Sequence, residues 1–343
     1  MPNPALKIIV ENKIPFVKGL LDPYATVLYL DPDQITAKAV KDAAALVIRT
    51  RTRCNADLLD GSKVRLIATA TIGTDHIDPE YCTRKGITVV NAPGCNAPAV
   101  AQYVFSSILH TANRPLSSMT IGVVGLGHVG SIVARWAEGL DMRVLPCDPP
   151  RQHREGGEQW VSFDTVLREA DIITLHTPLT DFGTYATRHL LNADTISRLG
   201  RAPIIINTAR GAVVDTKALL QGAKAGKTGP LIIDCWENEP DINTELLKMA
   251  SVATPHIAGY SHEGKVRASQ VVMDAVTTFF SLPRVTVDQP IPPMAPMTVS
   301  RNGILRSFDP RPLTEALKAN PDDFERLRNS YILRHEPLPS AED

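Results

Sequence analysis

The sequence predicts an α/β protein of two doubly wound parallel-sheet domains and a small C-terminal segment. Three observations carry the prediction. Short, near-continuously apolar runs alternate with helical stretches along most of the chain, which is how parallel strands covered on both faces read. One such run, Thr120–Val124, leads into a glycine-rich turn and then a helix. The 343 residues are enough for two cores.

In chain order, Leu6–Val10, Thr26–Leu30, Ala45–Ile48, Leu66–Ala70 and Ile87–Val90 are expected as strands of a first unit. One long helix is expected from Asn96 to Asn113, with Val100, Val104 and Ile108 on its apolar face. A second unit follows, with strands at Ile121–Val124, Arg143–Leu145, Ile172–Leu175, Ile204–Ile206, Leu231–Ile233 and Val252–Ala253. A helix from Ser261 to Ser281 would return to the first unit. Residues 1–95 and 261–282 then form one domain, with 96–260 inserted in it. A proline-rich linker, Pro283 to Pro296, opens the remainder, 283–343. Its tail, Leu313 to Arg334, reads as helical.

The glycine turn is the most specific motif. Gly125, Gly127 and Gly130 fit G-x-G-x-x-G, with His128 and Val129 inside it. The first glycine allows the tight turn, the second lets a pyrophosphate approach the backbone, and the third lets helix and strand pack closely. The helix N-terminus adds unpaired N–H groups and a positive dipole end. Asp148 lies 18 residues after Gly130, beyond the next strand. A carboxylate there accepts from a ribose diol and repels a 2′-phosphate, which favours NAD over NADP. Arg151 and Arg154 follow closely and would soften that preference. The alternative is a strand–turn–helix whose glycines serve packing only.

Three segments place polar residues just past strand ends. Asn207-Thr208-Ala209-Arg210 presents Arg210; Asp234 to Pro240 presents Asp234 and Glu239; Thr254 to Tyr260 presents His256. The set suits hydride transfer at a 2-hydroxy acid. A guanidinium holds a carboxylate bidentately, a histidine takes the hydroxyl proton near neutral pH, and a carboxylate orients the imidazole and stabilises its cation. Taken singly, Arg210 reads as a turn arginine, Glu239 as a cap and His256 as a loop histidine. Together, past successive strands of one nucleotide fold, they read as a site.

Composition excludes other classes. Lys and Arg number 36 against 37 Asp and Glu, so the charge balance gives no reason to expect nucleic acid or an anionic membrane as partner. No apolar run is long enough to span a bilayer. Met1-Pro2-Asn3-Pro4 leads straight into a strand without a signal-peptide pattern. The five cysteines lack a C-x-x-C pair, which points to reduced thiols in a cytoplasmic protein and to no metal site.

The order of Gly125–Gly130, Asp148, Asn207 to Gly211, Asp234 with Glu239-Pro240, and His256 to Gly259 resembles the D-isomer-specific 2-hydroxyacid dehydrogenases. Ala70 to His76, Ala92 to Ala97, Cys147 to Arg151, His176 to Thr180, and Ala258-Gly259-Tyr260 with Gly264-Lys265 resemble the branch acting on a phosphorylated erythronate, on the route to pyridoxal 5′-phosphate. The resemblance implies a Rossmann-type NAD domain inserted in a flavodoxin-like substrate domain. It implies NAD-dependent oxidation of 4-phospho-D-erythronate to its 2-oxo acid, with Arg210, Glu239 and His256 catalytic. His128, Val129, Asp148, Thr177, Thr208, Ala209, Arg210, Asp234 and Gly259 would contact NAD. Thr50, Thr71 and Tyr260, alongside Arg49, would contact substrate. Dehydrogenases of phosphoglycerate or hydroxypyruvate type, or an NAD-sensing corepressor on the same fold, are the alternatives.

Arg49, Arg51 and Arg53 alternate after a strand and would share one side if extension continued, either as phosphate donors or as a solvated basic edge. The chain looks a few tens of residues shorter at its C-terminus than full-length members of that branch. In the branch this region forms a dimerisation domain. Phe324, Leu327, Tyr331 and Ile332 recur at helical spacing. The resemblance implies that this tail helix docks across a homodimer two-fold, with Arg334 at the position whose arginine reaches the neighbour's substrate phosphate; the alternative is packing in cis, with Arg334 a solvated terminal charge.

Overall fold

The computed structural model describes residues 3–290 and 299–337. The end of the expected proline-rich linker therefore lies outside the described residues. The chain divides into two compact units, Met1–Asn96 with His262–Pro293, and Ala97–Ser261 with Met294–Asp343.

The first unit holds five parallel strands in the order β2-β1-β3-β4-β5: β1 (Asn3–Glu11), β2 (Ala25–Leu30), β3 (Ala45–Ile48), β4 (Leu66–Thr69) and β5 (Thr88–Val90). This is the flavodoxin-like order. Ala45–Ile48 and Leu66–Thr69 are buried at every position, as strands covered on both faces must be. Helix His262–Phe279 returns to this sheet and packs Ala268, Val272, Met273 and Val276 against Ile8, Val47 and Leu66.

The second unit holds six parallel strands in the order β11-β10-β9-β8-β6-β7: β6 (Thr120–Val124), β7 (Arg143–Cys147), β8 (Ile172–Leu175), β9 (Ile204–Asn207), β10 (Leu231–Ile233) and β11 (Val252–Ala253). Strand order reverses between β6 and β8, and the glycine turn leaves β6 at this switch point, where doubly wound sheets bind ligands. Helix Ala97–Thr111 is buried along most of its length, with Tyr103 and Phe105 fully enclosed.

The tail departs from expectation. Over the span from Leu313 to Arg334 it is not one helix but two, Arg311–Ala319 and Phe324–Asn329, separated by a 3-10 turn at Pro321–Asp323, and a further helix, Arg301–Ser307, precedes them. Pro321 cannot donate an N–H to the preceding turn. Nor does the tail present its apolar stripe outward. Phe324 is 1% exposed and shares a core with Leu317, Leu246 and Ala253, while Leu327 packs against the same cluster. Ser106 Oγ donates to the Phe308 carbonyl at 2.6 Å, and Ala253 N–H donates to Thr314 Oγ1 at 3.0 Å. The segment thus packs in cis on the second unit. Among Phe324, Leu327, Tyr331 and Ile332, Ile332 alone stands out, at 88% exposure.

Candidate active site

The glycine turn has the geometry its sequence requires. Gly125 sits at φ +87°, a left-handed position that disfavours a side chain, and a Cβ there would meet the His176 backbone at 2.9 Å. A Cβ on Gly130 would come to 1.9 Å from the Gly125 carbonyl oxygen, so only glycine lets helix His128–Gly139 start this close to β6. At Gly127, the helix N-cap, a Cβ would meet nothing within 4 Å, so the backbone there faces open space. Thr177 and Thr208 each bury a hydroxyl with no protein partner. An open N-terminal turn with two unmatched buried hydroxyls fits a dinucleotide.

Asp148 caps helix Pro149–Glu155. It accepts from Arg151 N–H at 3.0 Å and, from the glycine turn, Leu126 N–H at 2.7 Å. The two nearby arginines are engaged elsewhere. Arg151 donates to Glu155 through Nε at 2.9 Å and Nη2 at 2.8 Å, and to the Leu126 carbonyl through Nη1 at 2.6 Å. Arg154 also pairs with Glu155, at 3.1 Å. Glu155 therefore supplies the countercharge that a 2′-phosphate would otherwise offer both arginines.

The catalytic candidates all lie past β9, β10 and β11 in the second unit. Asn207, at the end of β9, donates through Nδ2 to the Arg210 and Cys235 carbonyls at 3.0 and 3.2 Å, shaping the loop that carries Arg210. A Cβ at Gly211 would come to 1.9 Å from the Trp236 carbonyl oxygen, so the two loops pass too close for any other residue. Glu239 reaches back to accept Trp236 N–H at 2.7 Å through one oxygen; the other lies 2.7 Å from His256 Nδ1. An ionised carboxylate can only accept, so Nδ1 carries a proton, and in the neutral ring Nε2 keeps its lone pair. His256 stands at φ +55°, a strained position for a non-glycine residue. Its loop is held from beneath by Asp234, which accepts from Ile257 N–H at 2.8 Å, Ala258 N–H at 2.9 Å and Thr254 Oγ1 at 2.6 Å.

Electrostatics follow from these contacts. Burial alone opposes a charged His256, but the Cys235 sulfur and the Glu239 carboxylate together raise its pKa well above the ordinary value. Burial also raises the Cys235 thiol, so at neutral pH the sulfur is uncharged and Glu239 is the charge that holds the imidazolium. Burial would raise Glu239 as well, yet its bond to His256 brings the net pKa below the usual value.

Asp234, expected at the cofactor, is 1% exposed, and both its oxygens hold the His256 loop. Three expectations change. Arg334 does not reach out to a neighbour. It is 9% exposed and donates to the carbonyls of Ala99, Ile257, Ala258 and Tyr260, to Gln102 Oε1 and to Tyr331 Oη, with its guanidinium 4.4 Å from the Phe308 ring centre. The arginines after β3 do not alternate on an extended edge, because the chain turns at Thr50–Thr52 and buries Thr52. The tail stripe packs in cis. In the first unit, Arg49 donates to the Lys13 carbonyl at 3.2 Å, Thr50 is exposed, and Thr71 bonds Thr69 and the Gly73 carbonyl at 2.7 and 2.9 Å.

One residue beside the site had no sequence signal. Arg328, from the tail, donates through Nε to Tyr260 Oη at 3.3 Å, and its charge is felt at Glu239.

Residues 100–258 match the family model described as D-isomer specific 2-hydroxyacid dehydrogenase, NAD binding domain. The chain is 44% identical over 338 residues to an erythronate-4-phosphate dehydrogenase of Bacteroides thetaiotaomicron, covering 96% of this chain and 97% of the relative. It is 43% identical to the enzyme of that name from Chromohalobacter salexigens, over 81% of this chain and 73% of the relative. The shortening expected at the C-terminus does not set this chain apart from the Bacteroides relative. Among solved structures, D-lactate dehydrogenase from Aquifex aeolicus, complexed with NAD and lactic acid, superposes with a TM-score of 0.70 at 28% identity, over 80% of this chain and 95% of that one. The NAD-bound 3-phosphoglycerate dehydrogenase of Entamoeba histolytica gives 0.68 at 26% identity, over 81% and 96%.

Proposed function

The chain belongs to the erythronate-4-phosphate dehydrogenases, within the D-isomer-specific 2-hydroxyacid dehydrogenase family, and on that premise we propose how its own residues act. The substrate is 4-phospho-D-erythronate and the product its 2-oxo acid, a step of vitamin B6 biosynthesis. The observation that carries the catalytic reading is the Glu239–His256 pair, which fixes the tautomer so that the ring, once neutral, presents Nε2 as the base.

His256 Nε2 takes the C2 hydroxyl proton as the carbon–oxygen double bond forms, and Glu239 stabilises the resulting imidazolium. Arg210 holds the substrate carboxylate. Bound NAD supplies the hydride acceptor for C2–H. Gly125 to Gly130 and the Thr177 and Thr208 hydroxyls hold the dinucleotide, and Asp148 binds its adenosine ribose. His128, Val129, Ala209 and Gly259 border the same loops. Thr50, Thr71 and Tyr260, with Arg49, are assigned to substrate contact by family resemblance.

The protein works as a homodimer in this reading, and Ile332 and Phe182, at 88% and 91% exposure, are large apolar side chains that such a contact would cover. Five buried cysteine thiols support a reducing, cytoplasmic location. Among the described residues no helix is long and apolar enough to cross a membrane.

The test is NADH formation by the purified protein on 4-phospho-D-erythronate, 3-phospho-D-glycerate, D-glycerate and D-lactate. The highest kcat/KM should fall to 4-phospho-D-erythronate. A higher value on 3-phospho-D-glycerate would move the chain to the phosphoglycerate type.

A further inference from the structure

The tail carries a buried arginine, Arg334, and a partly buried one, Arg328, with opposite states of satisfaction. Arg334 has every nitrogen of its guanidinium hydrogen-bonded. Arg328 does not. Its side chain is only 19% exposed, yet its polar contacts among the described residues are one long hydrogen bond to Tyr260 Oη, at 3.3 Å, and a 3.7 Å approach to Glu325. A guanidinium has five N–H donors and always carries its charge. Withdrawing it from water is costly unless those donors are matched. Phe324 and Leu327 leave helix Phe324–Asn329 little freedom to swing Arg328 out, because both are packed into the second unit's core. The helix thus holds an under-matched cation against Tyr260, four residues beyond His256, where its field also reaches Glu239.

We propose that Arg328 is a substrate-binding residue that takes the phosphate of the substrate, using the guanidinium donors left over by Tyr260. The proposal rests on the phosphorylated-substrate reading above. Arg210 is already assigned to the carboxylate, so the second cation matches the second anion of the same molecule. A phosphate oxygen pair suits a planar fork, and a fully bonded arginine such as Arg334 could not offer one. The cis-packed tail thereby acquires a function without a neighbouring subunit.

The full-length protein is compared with its Arg328→Gln and Arg328→Lys variants on 4-phospho-D-erythronate and on D-erythronate. In Arg328→Gln, KM for the phosphorylated substrate should rise about 10- to 100-fold, the range for a lost charged hydrogen bond, and KM for D-erythronate should move far less. Arg328→Lys should recover part of the difference, and the NAD dissociation constant should hold. Equal losses on both substrates would overturn the proposal. Phenylglyoxal labelling of the unsubstituted protein, read at Arg328 by peptide mass, tests the same claim without a variant. Inorganic phosphate should slow labelling and chloride should not; equal rates in both would overturn the proposal. If phosphate protects Arg328 but 4-phospho-D-erythronate is not oxidised, the anion site stands and the substrate reading fails.

Discussion

Glu239→Gln is the sharpest perturbation of the proton-transfer pair. The carboxylate accepts twice, from Trp236 N–H and from His256 Nδ1–H, both at 2.7 Å. An amide of the same shape has one oxygen and cannot do both. If the oxygen stays on Trp236, the NH2 faces Nδ1 and forces the proton to Nε2, which removes the base. If it stays on His256, the NH2 opposes Trp236 N–H and the loop loses its tie. Either way a charged hydrogen bond is lost, about 1.5–3 kcal/mol. At 1.36 kcal/mol per unit this is about one to two pKa units. The sign follows from the raised pKa of His256. Oxidation needs the neutral imidazole, so kcat/KM should climb as pH rises through that pKa and fall on acidification. Without Glu239 the imidazolium is less stable, so the limb should move about one to two units toward acid while the plateau drops about 10- to 100-fold. The assay is kcat/KM for NAD-dependent oxidation across the acid-to-alkaline range. A limb that stays in place, with a plateau near the parent's, would refute the pairing.

Other consequences are independent of that pair. Asp148→Ala should narrow the preference for NAD over NADP, and adding Glu155→Gln should narrow it further by releasing Arg151 and Arg154; unchanged cofactor ratios would remove Asp148 from recognition. Gly130→Ala places a methyl 1.9 Å from the Gly125 carbonyl oxygen, so NAD binding by calorimetry should collapse, and retained affinity would mean the turn is not the cofactor cradle. Phe324→Ala should cost about 3–5 kcal/mol in urea unfolding, since Phe324 is 1% exposed; a loss near zero would contradict cis packing of the tail.

Much of the site was legible because its residues sit just past strands that the apolar runs locate. Arg210, Glu239 and His256 follow β9, β10 and β11, and doubly wound sheets collect ligands at such ends. Asp234 was read at the end of β10, but its hold on Ile257 and Ala258 N–H was not, because sequence does not say which backbone groups of another loop a strand-end carboxylate meets. The arginine alternation after β3 failed for a local reason. Extension stops at Ile48, and a period of two means nothing once the chain turns. The tail was hardest to read. Pro321 was a break signal that the reading of Leu313 to Arg334 as helical passed over, and the folding back of Phe324 onto Leu317 and Leu246 depends on long-range packing that no window of sequence contains. Arg328 and Arg334 look alike in sequence; carbonyls from distant loops surround one and leave the other at Tyr260.

Oxidation at C2 is the central claim, and isotope transfer tests it most directly. Purified protein is given 4-phospho-D-erythronate deuterated at C2, with NAD, and the nicotinamide and sugar-acid products are read by mass spectrometry. The account predicts deuterium on the reduced nicotinamide and a 2-oxo acid that has lost it. Deuterium retained in the sugar acid, or appearing in solvent rather than on the nicotinamide, would contradict it.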